Sequence, residues 1–191
     1  TKSGSNEFHG SAFYLYNDDS LVGDTIKGVE ANLGEFERKN FGFDISGPII
    51  KDKLFFFAAY EETDTASINQ RGPSDGNFAD PQQLTQAELD RIQGILINNY
   101  GRTPGDLPIN LPIVSERAFI RLDWNINDDH RVEANWSQLE ESTTIGDDIG
   151  SRRGELSLAD NFHIRGSDSE TFAIRLYSDW TDRLSTEFRY S

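Results

Sequence analysis

Apolar and polar residues alternate along most of this chain with a period of two, which is typical of β-strands with one apolar face. The clearest examples lie in the second half of the chain: Arg117–Trp124, Arg131–Ser137, Thr171–Trp180 and Leu184–Ser191. Three more stretches precede them: Glu7–Tyr16, Asn40–Ser46 and the phenylalanine-rich Leu54–Tyr60. The pattern therefore predicts an all-β fold with seven strands.

The connections between these strands alternate strictly between short and long. Tight turns are predicted at Lys51–Lys53, Asn127–His130 and Thr181–Arg183, and long loops at Asn17–Glu37, Asp64–Val114 and Ser142–Ser169. Antiparallel up-and-down strands place every tight turn at one end and every long loop at the other. This asymmetry is typical of an outer-membrane β-barrel, with short periplasmic turns and long extracellular loops. Propellers show a blade repeat, and this sequence has none.

Composition narrows the class further. The 191 residues include 18 Lys and Arg against 33 Asp and Glu, a net charge of −15, and phosphate recognition needs the opposite sign, so we expect no nucleic-acid partner. The three predicted loops carry −10 of that charge. The longest apolar run, Leu54–Tyr60, is too short for a membrane helix, whereas a membrane strand needs only about 9–11 alternating residues.

The alternation assigns each strand residue to one of two faces. Ile120, Leu122, Ile174 and Leu176 are expected to contact acyl chains, while Arg121, Asp123 and Arg175 are expected to face a solvated lumen. Aromatic residues fall near strand ends, where a ring can be buried while its polar atom stays at headgroup level: Tyr14, Tyr16, Trp124, Trp136, Trp180 and Tyr190. The expected partner of the apolar face is therefore the lipid of the outer membrane.

One long loop is predicted to carry a short helix. Thr85 and Glu88 have the spacing of a capping box, and Gly101 suits the C-terminal cap. The helix has an apolar stripe, formed by Leu89, Ile92, Leu96 and Ile95. We interpret it as a helix packed on neighbouring loops.

No catalytic, cofactor-binding or metal-binding constellation stands out, so the sequence predicts neither an enzyme nor a cofactor. His9, His130 and His163 are scattered: His9 should face away from the apolar side, and His130 should lie in a turn. There is no cysteine, hence no disulfide framework. The carboxylate pairs Asp18-Asp19 and Asp147-Asp148 lack the spacing of a calcium loop and are interpreted as solvated acids.

Two stretches resemble a known family. Thr1–Tyr14 is similar to the junction between plug and barrel in TonB-dependent receptors of the Oar-like group. Arg38–Gly42, followed by Ser46–Phe57 and Tyr60-Glu61, resembles the next hairpin of the same group.

The resemblance implies a barrel of about 22 strands with a plug in its lumen. It also implies an extracellular ligand, whose identity the sequence does not reveal, and a periplasmic TonB-type energy-coupling protein acting through the plug region. On this basis residues 1–6 are the end of the plug or a linker, and residues 7–191 are the N-terminal part of the barrel. The remaining strands and the plug would then be partners of this segment.

Two alternatives stay open at this point. One is a passive porin or secretion-type barrel, and the other is a soluble extracellular β-sandwich that binds glycans. If the chain is a barrel segment, its outermost strands lack partners, and unsatisfied backbone groups are costly in lipid. We then expect the isolated 191 residues to be insoluble or to need detergent.

Overall fold

A computed structural model describes residues 5–23, 25–26, 29–30, 36–146 and 156–191. One antiparallel sheet dominates it, built from seven strands: β1 (His9–Asp18), β2 (Glu37–Ile50), β3 (Leu54–Ile68), β4 (Asn110–Asn125), β5 (His130–Ile145), β6 (His163–Thr181) and β7 (Leu184–Tyr190). Their order in the sheet is their order along the chain. The prediction of seven antiparallel up-and-down strands is confirmed.

Smaller elements lie in the long connections. They are a two-residue ladder between Thr25–Ile26 and Val29–Glu30, a second between Arg71–Gly72 and Asp80–Pro81, single 3-10 turns at Asp19–Leu21 and Ala159–Asn161, and the helix α1 (Gln86–Tyr100). Over the part of the chain that is described, no helix has the length and apolarity needed to cross a membrane.

The strands extend further into the long connections than the alternation predicted. Strand β3 continues to Ile68, β4 begins at Asn110, and β5 reaches Ile145. At the ends of β3 and β5, polar residues occupy both faces, and at the start of β4, Leu111–Val114 is apolar on both faces. The alternation of apolar and polar residues therefore disappears while backbone pairing continues. The predicted loop bounds were wrong for this reason. Two tight turns are also shorter than predicted, because His130 begins β5 and Thr181 ends β6.

Helix α1 has the predicted caps. The Thr85 hydroxyl accepts a hydrogen bond from the Glu88 N–H at 3.3 Å, and the Glu88 carboxylate accepts one from the Thr85 N–H at 2.9 Å. Gly101 ends the helix in the left-handed conformation, with φ 62°. Of the expected apolar stripe, Leu89 is buried, whereas Ile92 and Ile95 are exposed. The stripe is therefore only partly covered.

The segment before β1 is fastened to the first tight turn. Asp52 in that turn has a left-handed backbone, with φ 63°. The Asn6 side-chain nitrogen Nδ2 donates to the Asp52 carboxylate at 2.6 Å, and the Asp52 backbone N–H donates to the Asn6 side-chain oxygen Oδ1 at 2.8 Å. This two-way contact fixes where the chain enters the sheet, and sequence reasoning did not foresee it.

Candidate functional site: an apolar and a charged face on one sheet

One face of the sheet is apolar in its lower part, toward the tight turns. Leu122 pairs across the sheet with Phe56 on one side and Ala134 on the other, and Ala134 pairs with Ile174. The next row joins Leu54, Trp124, Val132, Leu176 and Phe188. Ile120, Leu122, Ile174 and Leu176 thus share one face, as the alternation predicted.

The opposite face carries a compact group of ion pairs. Arg121 lies 2.6 Å from the Asp123 carboxylate and 3.4 Å from that of Glu133, and Arg131 lies 3.3 Å from Glu133. The guanidinium of Arg131 also sits 4.6 Å from the ring centre of Tyr177. The side chains of Arg121, Asp123 and Glu133 are only 14%, 11% and 12% exposed. Mutual pairing is what makes charges tolerable at such burial.

Arg175 joins the same face, because it pairs with Glu133 across the sheet. The three residues that the sequence assigned to the polar face, Arg121, Asp123 and Arg175, are therefore together near the tight-turn end. This charged face can contact water or a polar protein surface, whereas contact with acyl chains would be unfavourable.

The polar face also contains aromatic rings that the sequence did not separate from the apolar side. Phe57 is buried and packs against Phe119, with ring centres 6.0 Å apart. Phe13 lies over Gly42 on the same face. In Leu54–Tyr60 nearly every residue is apolar, so alternation cannot show that Phe55 and Phe57 point away from Phe56.

The upper limit of the apolar face is staggered from strand to strand. On β1 it reaches Tyr16, which is in register with position 64 of β3, whereas on β6 it reaches Phe172, in register with position 58. The limit thus moves by six residues over the five steps from β1 to β6, about 1.2 residues for each step. The rise along a strand is about 3.3 Å per residue and neighbouring strands are about 4.8 Å apart. If the strands were tilted by about 40° from the barrel axis, the upper limit of the apolar face would lie at the same height on every strand. That tilt is typical of membrane barrels.

Allowing for this tilt, the apolar face becomes a level band. From Phe8 to Tyr16 on β1 it is about 20 Å high, close to the roughly 25 Å of outer-membrane barrels. The six aromatic residues singled out from the sequence all lie on this face, and the band has aromatic residues at both edges. Those toward the long loops are Tyr14, Tyr16, Tyr60, Trp136, Phe172 and Tyr190, and those toward the tight turns are Phe8, Trp124 and Trp180.

Polar atoms of these rings find partners at the band edges. The Trp136 indole donates to Glu170 at 2.7 Å, and the Trp180 indole donates to Thr186 at 2.9 Å. A ring buried among apolar groups with its N–H satisfied at the boundary is the arrangement expected at a lipid–water interface.

The other residues singled out from the sequence do not converge. His9 lies on the polar face, opposite Ser46. His130 packs on the Trp180 ring, 5.0 Å between ring centres. Asp18 caps the 3-10 turn, and its carboxylate accepts hydrogen bonds from the Ser20 and Tyr16 hydroxyls. Asp147 and Asp148 lie outside the described residues, among which no metal-binding group of His, Asp and Glu is found.

Comparison with known proteins agrees with this geometry. Residues 1–75 match a family model described as an outer membrane beta barrel domain. The seven-stranded sheet is thus similar to part of an outer-membrane β-barrel, in which an apolar band suits lipid and a charged face suits a solvated lumen. The chain is also 43% identical over 67 residues to the TonB-dependent transporter Oar of Myxococcus xanthus. The resemblance to the Oar-like group is confirmed over that part.

The match to Oar covers 31% of this chain and 6% of the relative. The chain therefore corresponds to a small part of that protein's length. No solved structure matches it.

Proposed function

We propose that this chain is the N-terminal part of the barrel of a TonB-dependent transporter that binds an extracellular ligand and imports it. The observation that carries the proposal is the 43% identity to the TonB-dependent transporter Oar. The charged lumen wall at Arg121, Asp123 and Glu133 supports it, since such a wall needs a wide solvated bore or a polar occupant.

The proposal assigns residues 1–6 to the end of a plug or linker and residues 7–191 to the barrel. In the described sheet, β1 and β7 each pair on one side only, so further strands would complete the barrel. The contact between Asn6 and Asp52 would then hold the point where the plug region joins the wall. A periplasmic TonB-type coupling protein would act through that region.

Reconstitution of the full-length protein distinguishes this proposal from a passive pore. In a planar lipid bilayer, a plugged transporter should show no stable ion conductance until urea unfolds the plug, while the more stable barrel persists. Stable conductance without urea would favour the porin alternative. Recovery of the full-length protein in a soluble periplasmic fraction would exclude both the transporter and the porin, because each is a membrane barrel.

The ligand surface is proposed to include the longest connection, residues 69–109. Deleting this connection should abolish ligand uptake while leaving insertion into the outer membrane intact, because none of the seven strands is shortened. Unchanged uptake after the deletion would remove this loop from the ligand site.

A further inference from the structure

Two of the long connections contact each other beyond the sheet. The Arg102 guanidinium donates to the Asp160 carboxylate from Nε at 2.9 Å and from Nη2 at 2.6 Å. The Ala159 N–H donates to the Asp106 carbonyl at 3.0 Å, and the Asp160 N–H donates to the Pro104 carbonyl at 2.9 Å. We call this contact, between residues 102–106 and residues 159–160, the loop clasp.

Gly105 makes the close approach possible. Its φ is +75°, a conformation that side chains disfavour, and a Cβ there would lie only 2.7 Å from the Ala159 Cβ. The Gly105 carbonyl also accepts a hydrogen bond from the Gln93 amide of α1 at 2.8 Å. Helix α1 is thereby connected to the loop clasp twice: through Gln93, and at its C-terminus, where the Arg102 N–H donates to the Leu96 carbonyl at 3.0 Å.

We propose that the loop clasp couples the second and third long connections into one mechanical unit, so that a displacement of α1 moves the segment before β6. The contact joins parts of the chain 58 residues apart, which no turn or strand pairing brings together. It combines two backbone hydrogen bonds with two charge-assisted hydrogen bonds from the Arg102 guanidinium to the Asp160 carboxylate. Arg102 is 59% exposed and Asp160 22% exposed, so water and salt compete for the ion pair and the clasp can open reversibly. This coupling does not depend on the identity of any ligand.

Hydrogen exchange on the full-length protein in detergent or lipid tests the coupling. In Arg102→Ala, the Ala159 and Asp160 amides should exchange about 2- to 5-fold faster, the effect of losing a partly exposed ion pair. In Gly105→Val, overpacking at the clasp should accelerate them about tenfold or more. Arg91→Ala is the matched control, since Arg91 lies on the exposed surface of α1 outside the clasp, and it should change nothing there.

Two further variants separate coupling from local damage. Arg102→Asp combined with Asp160→Arg should restore most of the protection that either single change removes. Gln93→Ala, which removes the hydrogen bond of α1 to Gly105, should also accelerate exchange at Ala159 and Asp160. Exchange in β4 and β5 should stay at the wild-type rate in all variants, which shows that the sheet is intact. If Arg102→Ala and Gly105→Val leave exchange in residues 156–162 unchanged, or if Gln93→Ala does so, the loops move independently and the proposal is wrong.

Discussion

Neighbouring residues on β4 lie in opposite environments. Ile120 is 46% exposed and Leu122 is 39% exposed, whereas the side chains of Arg121 and Asp123 between and beside them are almost covered. In a soluble domain the charged residues would be outside and the aliphatic ones inside. The reversal is what a membrane barrel requires, with lipid on the apolar side and protein or water on the charged side.

The largest effect should come from placing a charge on the lipid face. Leu122 lies near the middle of the level band, so Leu122→Arg should reduce the free energy of unfolding by roughly 2–4 kcal/mol. On the lumen face, Asp123→Asn should cost only about 1 kcal/mol, because Glu133 remains beside Arg121. Denaturant unfolding of the full-length protein in lipid vesicles measures both. Equal losses for the two variants would contradict the assignment of faces.

Cysteine labelling checks the same register without changing charge in the bilayer. With a lipid-soluble thiol reagent, a cysteine at Leu122 should react and one at Arg121 should not. The opposite result would mean that the strand is shifted by one residue, which exchanges the two faces.

Substituting a glycine on each of the two faces should give a smaller difference in the free energy of unfolding. A methyl group at Gly42 on the lumen face would approach the Tyr60 carbonyl oxygen at 2.8 Å, and backbone cannot easily move away. A methyl group at Gly47 on the lipid face would meet the Phe8 ring, which can rotate into lipid. Gly42→Ala should therefore destabilise by about 1–3 kcal/mol, clearly more than Gly47→Ala, in the same unfolding assay. A larger loss for Gly47→Ala would mean that the lipid face is the more rigidly packed one.

At the tight-turn end of the sheet, the free energy of unfolding should depend on local hydrogen bonds more than on which face a residue occupies. Asn6→Ala removes two contacts to Asp52 and should cost about 1 kcal/mol. Asn6→Asp should cost more than Asn6→Ala, because a carboxylate cannot donate to Asp52 and repels it. Denaturation midpoints of the two variants give the order, and a more stable Asn6→Asp protein would show that the contact with Asp52 is unimportant.

The smallest effect belongs to the aqueous loops. The pKa of Glu88 lies below its usual value because the Thr85 N–H and then the Thr85 hydroxyl donate to its carboxylate. The stabilisation is therefore complete above the usual glutamate pKa, about 4.3, and is lost as pH falls from there through the lowered pKa.

A nitroxide label at Arg91→Cys should accordingly become more mobile as the pH falls from about 4.3 through the lowered pKa of Glu88. In Glu88→Gln this pH dependence should be absent, since the amide does not titrate. The same mobility change with glutamine at position 88 would assign the effect to another group.

Sequence reasoning succeeded where one strong physical constraint acts on successive residues. Lipid on one side requires an apolar residue at every second position, so Ile120, Leu122, Ile174 and Leu176 could be assigned to a face. The capping box at Thr85 and Glu88 was predictable for a similar reason, because its partners are three residues apart. Strand ends such as Thr65–Ile68 lie beyond the apolar band, where no alternation is required.

The clasp between Arg102 and Asp160 and the contact between Asn6 and Asp52 could not be predicted in the same way. The two contacts join residues that are 58 and 46 positions apart, respectively. Nothing in the composition of Pro104–Asp106 or Ser5–Glu7 indicates the partner. Such contacts depend on how far each strand continues above or below the membrane, which is a property of the assembled sheet.

The strand order also has a kinetic consequence. Because every strand of the described sheet pairs with its neighbour in sequence, hairpins such as β2–β3 and β4–β5 close loops of only a few residues, which costs little chain entropy. The sheet can therefore grow hairpin by hairpin, with each new strand using the previous edge as its template. The loop clasp joins the β3–β4 and β5–β6 connections, so we expect it to form after these two hairpins.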